Sequence, residues 1–153
     1  MNADMALDDR ASAVRQARTV TASVLARWQC TQDCVDDAVL IVSEMVTNAV
    51  RHGQGRVRLK LRRGAHVLRL EVRDGSPRLP MLLPVAADAE CGRGLRIVTA
   101  LAHRWGTTRV RGGKIVWAEV VYRRPGRRLR GLSPGSGGLG VGGVGGALSC
   151  VGR

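Results

Sequence analysis

Residues 40–53 read LIVSEMVTNAVRHG, and the order in which polar and apolar groups alternate there decides the fold. Val42, Val46, Ala49 and Val50, with Val35 and Val39 before them, recur at helical spacing and form one apolar stripe. Glu44, Asn48 and His52 fall one turn apart on another side of the same helix, and Asp37 and Arg51 also lie off the stripe. The spacing predicts a helix over Asp36 to His52, with Gly53 as its C-cap, that packs one face on a sheet and turns another toward something polar. An amide oxygen is a hard ligand suited to Mg²⁺, and a carboxylate one turn earlier can polarise a water or a hydroxyl nucleophile. By itself an E-x-x-x-N spacing is ordinary helix surface. The reading therefore depends on what flanks it.

Upstream, Val14, Ala17, Thr21, Val24, Leu25 and Trp28 repeat at helical spacing with Arg15, Arg18 and Arg27 outside, which predicts a first helix over Ala11 to Gln29. Thr31-Gln32-Asp33 interrupts it and offers caps for the next. Residues 1–10 are polar and read as a disordered N-terminus. Downstream, Arg56 to Arg63 alternates Val57, Leu59 and Leu61 with Arg56, Arg58, Lys60 and Arg62, the pattern of a half-buried strand. A Gly64-Ala65 turn leads to a second strand over Val67 to Asp74. Pro77, Pro80 and Pro84 make residues 75–90 a loop, Gly94 to Ala102 a short helix, and the segments Trp105 to Val110 and Ile115 to Tyr122 a hairpin turning on Arg111-Gly112-Gly113-Lys114. Helix, helix, two strands, helix, two strands is an α+β order. It implies a two-layer α/β sandwich with a mostly antiparallel mixed sheet covered on one face by helices.

The ordered domain is thus expected over residues 11–122, with residues 123–153 as a disordered tail rich in Arg and Gly. The formal net charge is +13, but six of the 25 basic residues and none of the 12 acidic ones lie from Arg123 onward. The folded part is therefore only moderately basic. With Trp28, Trp105, Trp117 and Tyr122 as the whole aromatic complement, platforms for stacking single-stranded bases are lacking. Any nucleic-acid binding is expected to be weak, non-specific and salt-dependent. Cys30, Cys34, Cys91 and Cys150 complete no zinc spacing and read as reduced thiols of a cytoplasmic protein. No apolar run approaches the ~18–20 residues of a membrane span.

No G-x-x-x-x-G-K-[ST] phosphate loop occurs, since Gly113-Lys114 is followed by Ile115 in a hairpin turn, and the G-x-G-x-x-G at Gly138, Gly140 and Gly143 follows no strand. Two other segments do carry chemistry. Asp74-Gly75-Ser76-Pro77 ends a strand with an acceptor that suits an adenine amino group, though the same four residues make a good ordinary turn. Cys91-Gly92-Arg93-Gly94-Leu95 opens the third helix with exposed backbone N–H groups, a ready phosphate site.

The three segments come in sequence, each on its predicted element, and together they resemble the GHKL (Bergerat-fold) ATPase superfamily, with an N box at Glu44–His52, a G1 box at Asp74–Pro77 and a G2 box at Gly92–Gly94. The wording SEMVTNAVRH, RDGSP, GRGLRIV and GGKIVWAE is similar to short actinobacterial regulatory ATPases of the anti-sigma-factor serine kinase type. The resemblance covers about residues 11–122. It implies ATP and Mg²⁺ as cofactors, Glu44 as catalytic base and Asn48 as the metal-holding residue. It further implies Asp74 with Gly75 and Ser76 at the adenine, Gly92, Arg93, Gly94 and Leu95 around the phosphates, Arg51 and His52 nearby, and Thr107 or Thr108 at the adenine through water. The implied activity is ATP-dependent serine/threonine phosphorylation of an antagonist (anti-anti-sigma) protein, with sequestration of a sigma factor. The basic sheet face and the first helix offer contact surfaces, a homodimer among the options. A histidine kinase is disfavoured, because no helical hairpin with an exposed phosphoacceptor His precedes the domain. The chain departs from the family pattern where Ser76 and Arg78 replace the later glycines of the G1 box, in a lid of only about residues 79–90, and in lacking an evident first strand. The alternative is a non-catalytic, ATP-dependent interaction module of the same fold.

Overall fold

The computed structural model describes residues 1–7, 10–78 and 93–122. In chain order these form β1 (Asn2–Leu7), α1 (Ala13–Arg27), α2 (Gln32–His52), β2 (Val57–Arg63), β3 (Val67–Asp74), α3 (Arg93–Leu101), β4 (Arg104–Val110) and β5 (Gly113–Val121). The expected lid and Arg/Gly-rich tail lie outside the described residues.

The five strands make one sheet in the order β1-β2-β3-β5-β4, and all four neighbouring pairs are antiparallel. The expected mixed character is absent among the described strands. β4 does run in the direction of β3, but β5 is inserted between them and pairs antiparallel with both. The three helices cover one face, to which Leu59, Leu61, Leu68, Leu70, Val72, Val116, Ala118 and Val120 turn. From the other side Ala17, Leu25, Ala38, Ile41, Val42, Met45, Val46 and Val98 close an almost wholly aliphatic core. Packing γ- and β-branched side chains between a helix layer and a sheet satisfies the burial that the alternating and 3.6-residue patterns demand.

The N-terminus is a correction. Residues 2–7 are an edge strand, not a frayed end, and pair in register from Asn2↔Arg62 to Leu7↔Val57. Ala3, Met5 and Leu7 turn inward while Asn2, Asp4 and Ala6 turn outward, and Asp4 meets Arg58 at 3.1 Å. Small alanines and one outward acid mute the period-2 signal, and only pairing with an already apolar β2 makes the strand worth forming. α2 also starts earlier than expected, at Gln32, so Cys34 and Val35 are buried in its first turn.

The open face carries a connected charge network. Arg69 bonds Glu71 at 2.7 Å and Glu119 at 2.8 Å, Arg104 bonds Glu119 at 2.5 Å, and Arg69 lies 4.3 Å from the centroid of the Trp117 ring. No helix of the described residues is long and apolar enough to cross a membrane.

Candidate functional site

The polar side of α2 holds Glu44 and Asn48, both half-buried, while Arg51 and His52 are exposed in its last turn. α3 begins directly against the first two. A β-carbon at Gly94 would stand 2.6 Å from Glu44 Oε2 and 3.4 Å from Asn48 Nδ2. Glycine at that position lets the opening turn of α3 come up against the carboxylate and the amide. Arg93 opens that helix, Leu95 is buried beneath it at 5% exposure, and Gly92 lies outside the described residues.

The end of α2 is built differently from a glycine-capped helix. Gly53 has extended backbone angles (φ −83°, ψ 174°), not the left-handed ones that a glycine C-cap usually adopts. The guanidinium of Arg10 substitutes for that cap by donating to the carbonyls of Ala49 (3.3 Å), Val50 and Gly53 (3.1 Å). What Gly53 supplies is room. A β-carbon there would collide with the Ala49 carbonyl and stand 2.8 Å from Asp74 Cγ. The helix end therefore closes on the end of β3.

Asp74 is 2% exposed, and its Oδ1 accepts two hydrogen bonds, from the Ser76 backbone N–H (2.8 Å) and from Lys114 Nζ (2.9 Å). The first of these is the Asx turn expected of Asp-Gly-Ser-Pro. Gly75 N–H donates to the Gln54 carbonyl at 2.7 Å, tying the turn to the exit of α2, and the buried Ser76 hydroxyl accepts from the Arg78 N–H at 3.2 Å. The hairpin between β4 and β5 closes the same corner. Gly113 has φ 149°, and a β-carbon there would collide with the Asp74 carbonyl and stand 2.7 Å from Gly75 Cα. Only glycine admits that approach.

The structure thus brings Glu44, Asn48 and Gly94 together on α2, and gathers Asp74, Gly75 and Ser76 at the C-terminal end of the same helix. From Asn48 to the helix end at Gly53 the axial rise is about 7.5 Å at 1.5 Å per residue. Thr108 does not join them. It pairs with Ile115 and faces the open side of the sheet, whereas Thr107 pairs with Val116 on the helix side. Counting along a strand of uncertain start cannot settle which of two adjacent threonines faces inward. The residue missed from sequence is Lys114, which was read as a hairpin-turn residue and stands opposite Asp74 in the β3–β5 register with only 5% exposure. Its signal was the combination of a Gly-Gly turn and an alternation that puts Lys114, Val116 and Ala118 on one face.

Among the described residues no three His, Cys, Asp or Glu side chains gather to hold a metal ion. The donor set near Asn48 is one amide and one carboxylate. That fits a Mg²⁺ ion whose remaining ligands are phosphate oxygens and water, not a protein-enclosed site.

A profile of the Histidine kinase-like ATPase domain matches residues 7–120. An uncharacterised protein of Streptomyces coelicolor is 42% identical over 71 residues, covering 42% of this chain and 67% of the relative. The crystal structure of the RsbU and RsbW domains of Rv1364c from Mycobacterium tuberculosis superposes with a TM-score of 0.64 at 22% identity, over 83% of this chain and 34% of that one. At that identity the likeness is one of fold, and this chain spans about a third of that protein's length. The histidine kinase domain of the Erythrobacter litoralis EL346 blue-light activated histidine kinase superposes over 72% of this chain and 60% of that one, at 20% identity and a TM-score of 0.46.

Proposed function

Since the chain belongs to the histidine kinase-like ATPase family, within the GHKL superfamily, we propose that it is an ATP-dependent serine/threonine protein kinase of the anti-sigma-factor type. The observation that carries this reading is the placement of Glu44 and Asn48 against the N-terminus of α3, with the Asp74 carboxylate at the far end of the same helix. One end suits a purine amino group and the other a polyphosphate, so a nucleotide would lie along α2.

In that pose Asp74 accepts from the base, and the α3 N–H groups donate to phosphate oxygens. Asn48 would hold Mg²⁺, which neutralises charge on the phosphates when bound. Glu44 takes the proton of a serine or threonine hydroxyl as its oxygen attacks the γ-phosphorus. The bond to the β–γ bridging oxygen breaks and ADP leaves. The acceptor would be a small antagonist protein, and the same domain would sequester a sigma factor, acting in the cytoplasm.

The experiment is incubation of the purified chain with labelled ATP, Mg²⁺ and candidate antagonist proteins. Phosphoserine or phosphothreonine on a partner, lost in Glu44→Ala, is the expected result. ATP binding with no transfer to any partner would refute the kinase. It would leave the second reading, a non-catalytic ATP-dependent interaction module. The Ser76–Arg78 loop supports that reading, because its backbone and hydroxyl are bonded to one another and to Asp74 where glycines would leave a mobile turn.

A further inference from the structure

We propose that Lys114 is a base-recognising residue that works with Asp74 to read the hydrogen-bonding edge of a purine. The inference rests on the reading that the site along α2 takes a nucleotide. The two side chains are a directly opposed pair on β3 and β5, on the helix-facing side of the sheet, with Nζ 2.9 Å from Oδ1.

Both groups are incompletely used. The hydrogen bonds described for Asp74 converge on Oδ1, which leaves Oδ2 to accept from a ligand. The Lys114 ammonium has three N–H donors, and the bond described for it is the one to Asp74, although its side chain is only 7% exposed. A buried ammonium with unspent donors is costly unless an acceptor meets it. Gly75 and Gly113 keep the backbone around the pair free of side chains. The corner therefore presents an acceptor and a donor side by side, both excluded from bulk water.

That spacing of functions matches the six-membered edge of a purine. With adenine, the 6-amino group donates to Asp74 Oδ2 and N1 accepts from Lys114. Guanine in the same pose would set O6 against the Asp74 carboxylate and N1–H against the Lys114 ammonium, acceptor on acceptor and donor on donor. A carboxylate alone rewards only the donor of either base. The pair rewards a donor at position 6 beside an acceptor at N1, so this corner favours 6-amino over 6-oxo purine nucleotides.

The test is calorimetric titration of the full chain with ATP, GTP and 1-deaza-ATP, each with Mg²⁺, in the wild type and in Lys114→Met. A hydrogen bond to a charged group is worth about ten- to a hundredfold in affinity. Wild type is therefore expected to bind GTP and 1-deaza-ATP each at least about tenfold more weakly than ATP. In Lys114→Met the gap between ATP and 1-deaza-ATP closes, which loss of a purely structural lysine would not produce. An unchanged gap in the variant, or none in the wild type, overturns the inference, as does GTP binding as tightly as ATP. If Lys114→Met fails to fold by circular dichroism, the wild-type ratios decide alone. Absence of binding by every nucleotide removes the nucleotide-site reading and this inference together. ATP binding without the expected ratios removes only the second.

Discussion

Asp74 and Lys114, forty residues apart, form an ion pair of 2.9 Å between side chains that are 1% and 7% exposed, at the point where β3, the β4–β5 hairpin and the end of α2 meet. Removing one member leaves the other charged and buried, whereas removing both charges leaves neither. Lys114→Ala is expected to cost about 3–5 kcal/mol in urea unfolding. The double change Asp74→Asn with Lys114→Met is expected to recover much of it. Equal losses in the single and double variants would show that the two charges do not depend on each other.

Gly94→Ala separates stability from chemistry. The added methyl would stand 2.6 Å from Glu44 Oε2, the free end of a side chain that can swing away. Alanine also favours a helical turn over glycine, so unfolding is expected to change by less than about 1 kcal/mol. Glu44 would be displaced, and transfer of labelled phosphate is expected to fall at least about tenfold by the orientation it loses. Full transfer activity in the variant would argue against Glu44 as the base.

Thr21 is wholly buried on α1, and among the described residues its hydroxyl finds no hydrogen-bond partner. Thr21→Val keeps the shape and removes the unsatisfied group. It is expected to stabilise the domain by about 1 kcal/mol, seen as a melting midpoint several degrees higher. A lower midpoint would mean that the hydroxyl is bonded in solution.

Glu119 sets an acid limit on the open face of the sheet. Burial raises its pKa, but hydrogen bonds from Arg104 and Arg69, with their charges, outweigh this and leave it below the ordinary carboxylate value. A depressed folded value contributes stability above the unfolded pKa, about 4.3, that is lost as pH falls through the lower folded one. Glu119→Gln is expected to cost about 1–3 kcal/mol at pH 7 and little near pH 3, measured as unfolding midpoints across that range. A pH-independent cost would assign the effect to packing.

The elements that carry the site were legible because their signals are local. The stripe from Val35 to Val50 and the alternation from Val57 to Leu61 fix which side of each element is apolar, and so which side is left for Glu44, Asn48 and Asp74. β1 was not legible, because Ala3 and Ala6 carry little period-2 signal and the strand forms only where β2 already offers an apolar edge. Neither was the α2 cap, since the group that satisfies its carbonyls is Arg10, about forty residues earlier.

By itself the sequence determined the α+β class, the polar face of α2 and the positions of its carboxylate and amide, because helical and strand periodicity are properties of neighbours along the chain. Only the tertiary structure decided that β5 lies between β3 and β4, that Lys114 and not Thr108 faces Asp74, and that Gly53, Gly94 and Gly113 are where separate elements touch. Those are matters of strand order and register. A shift of one residue reverses every side chain on a strand, and only packing against the rest of the molecule selects among the alternatives.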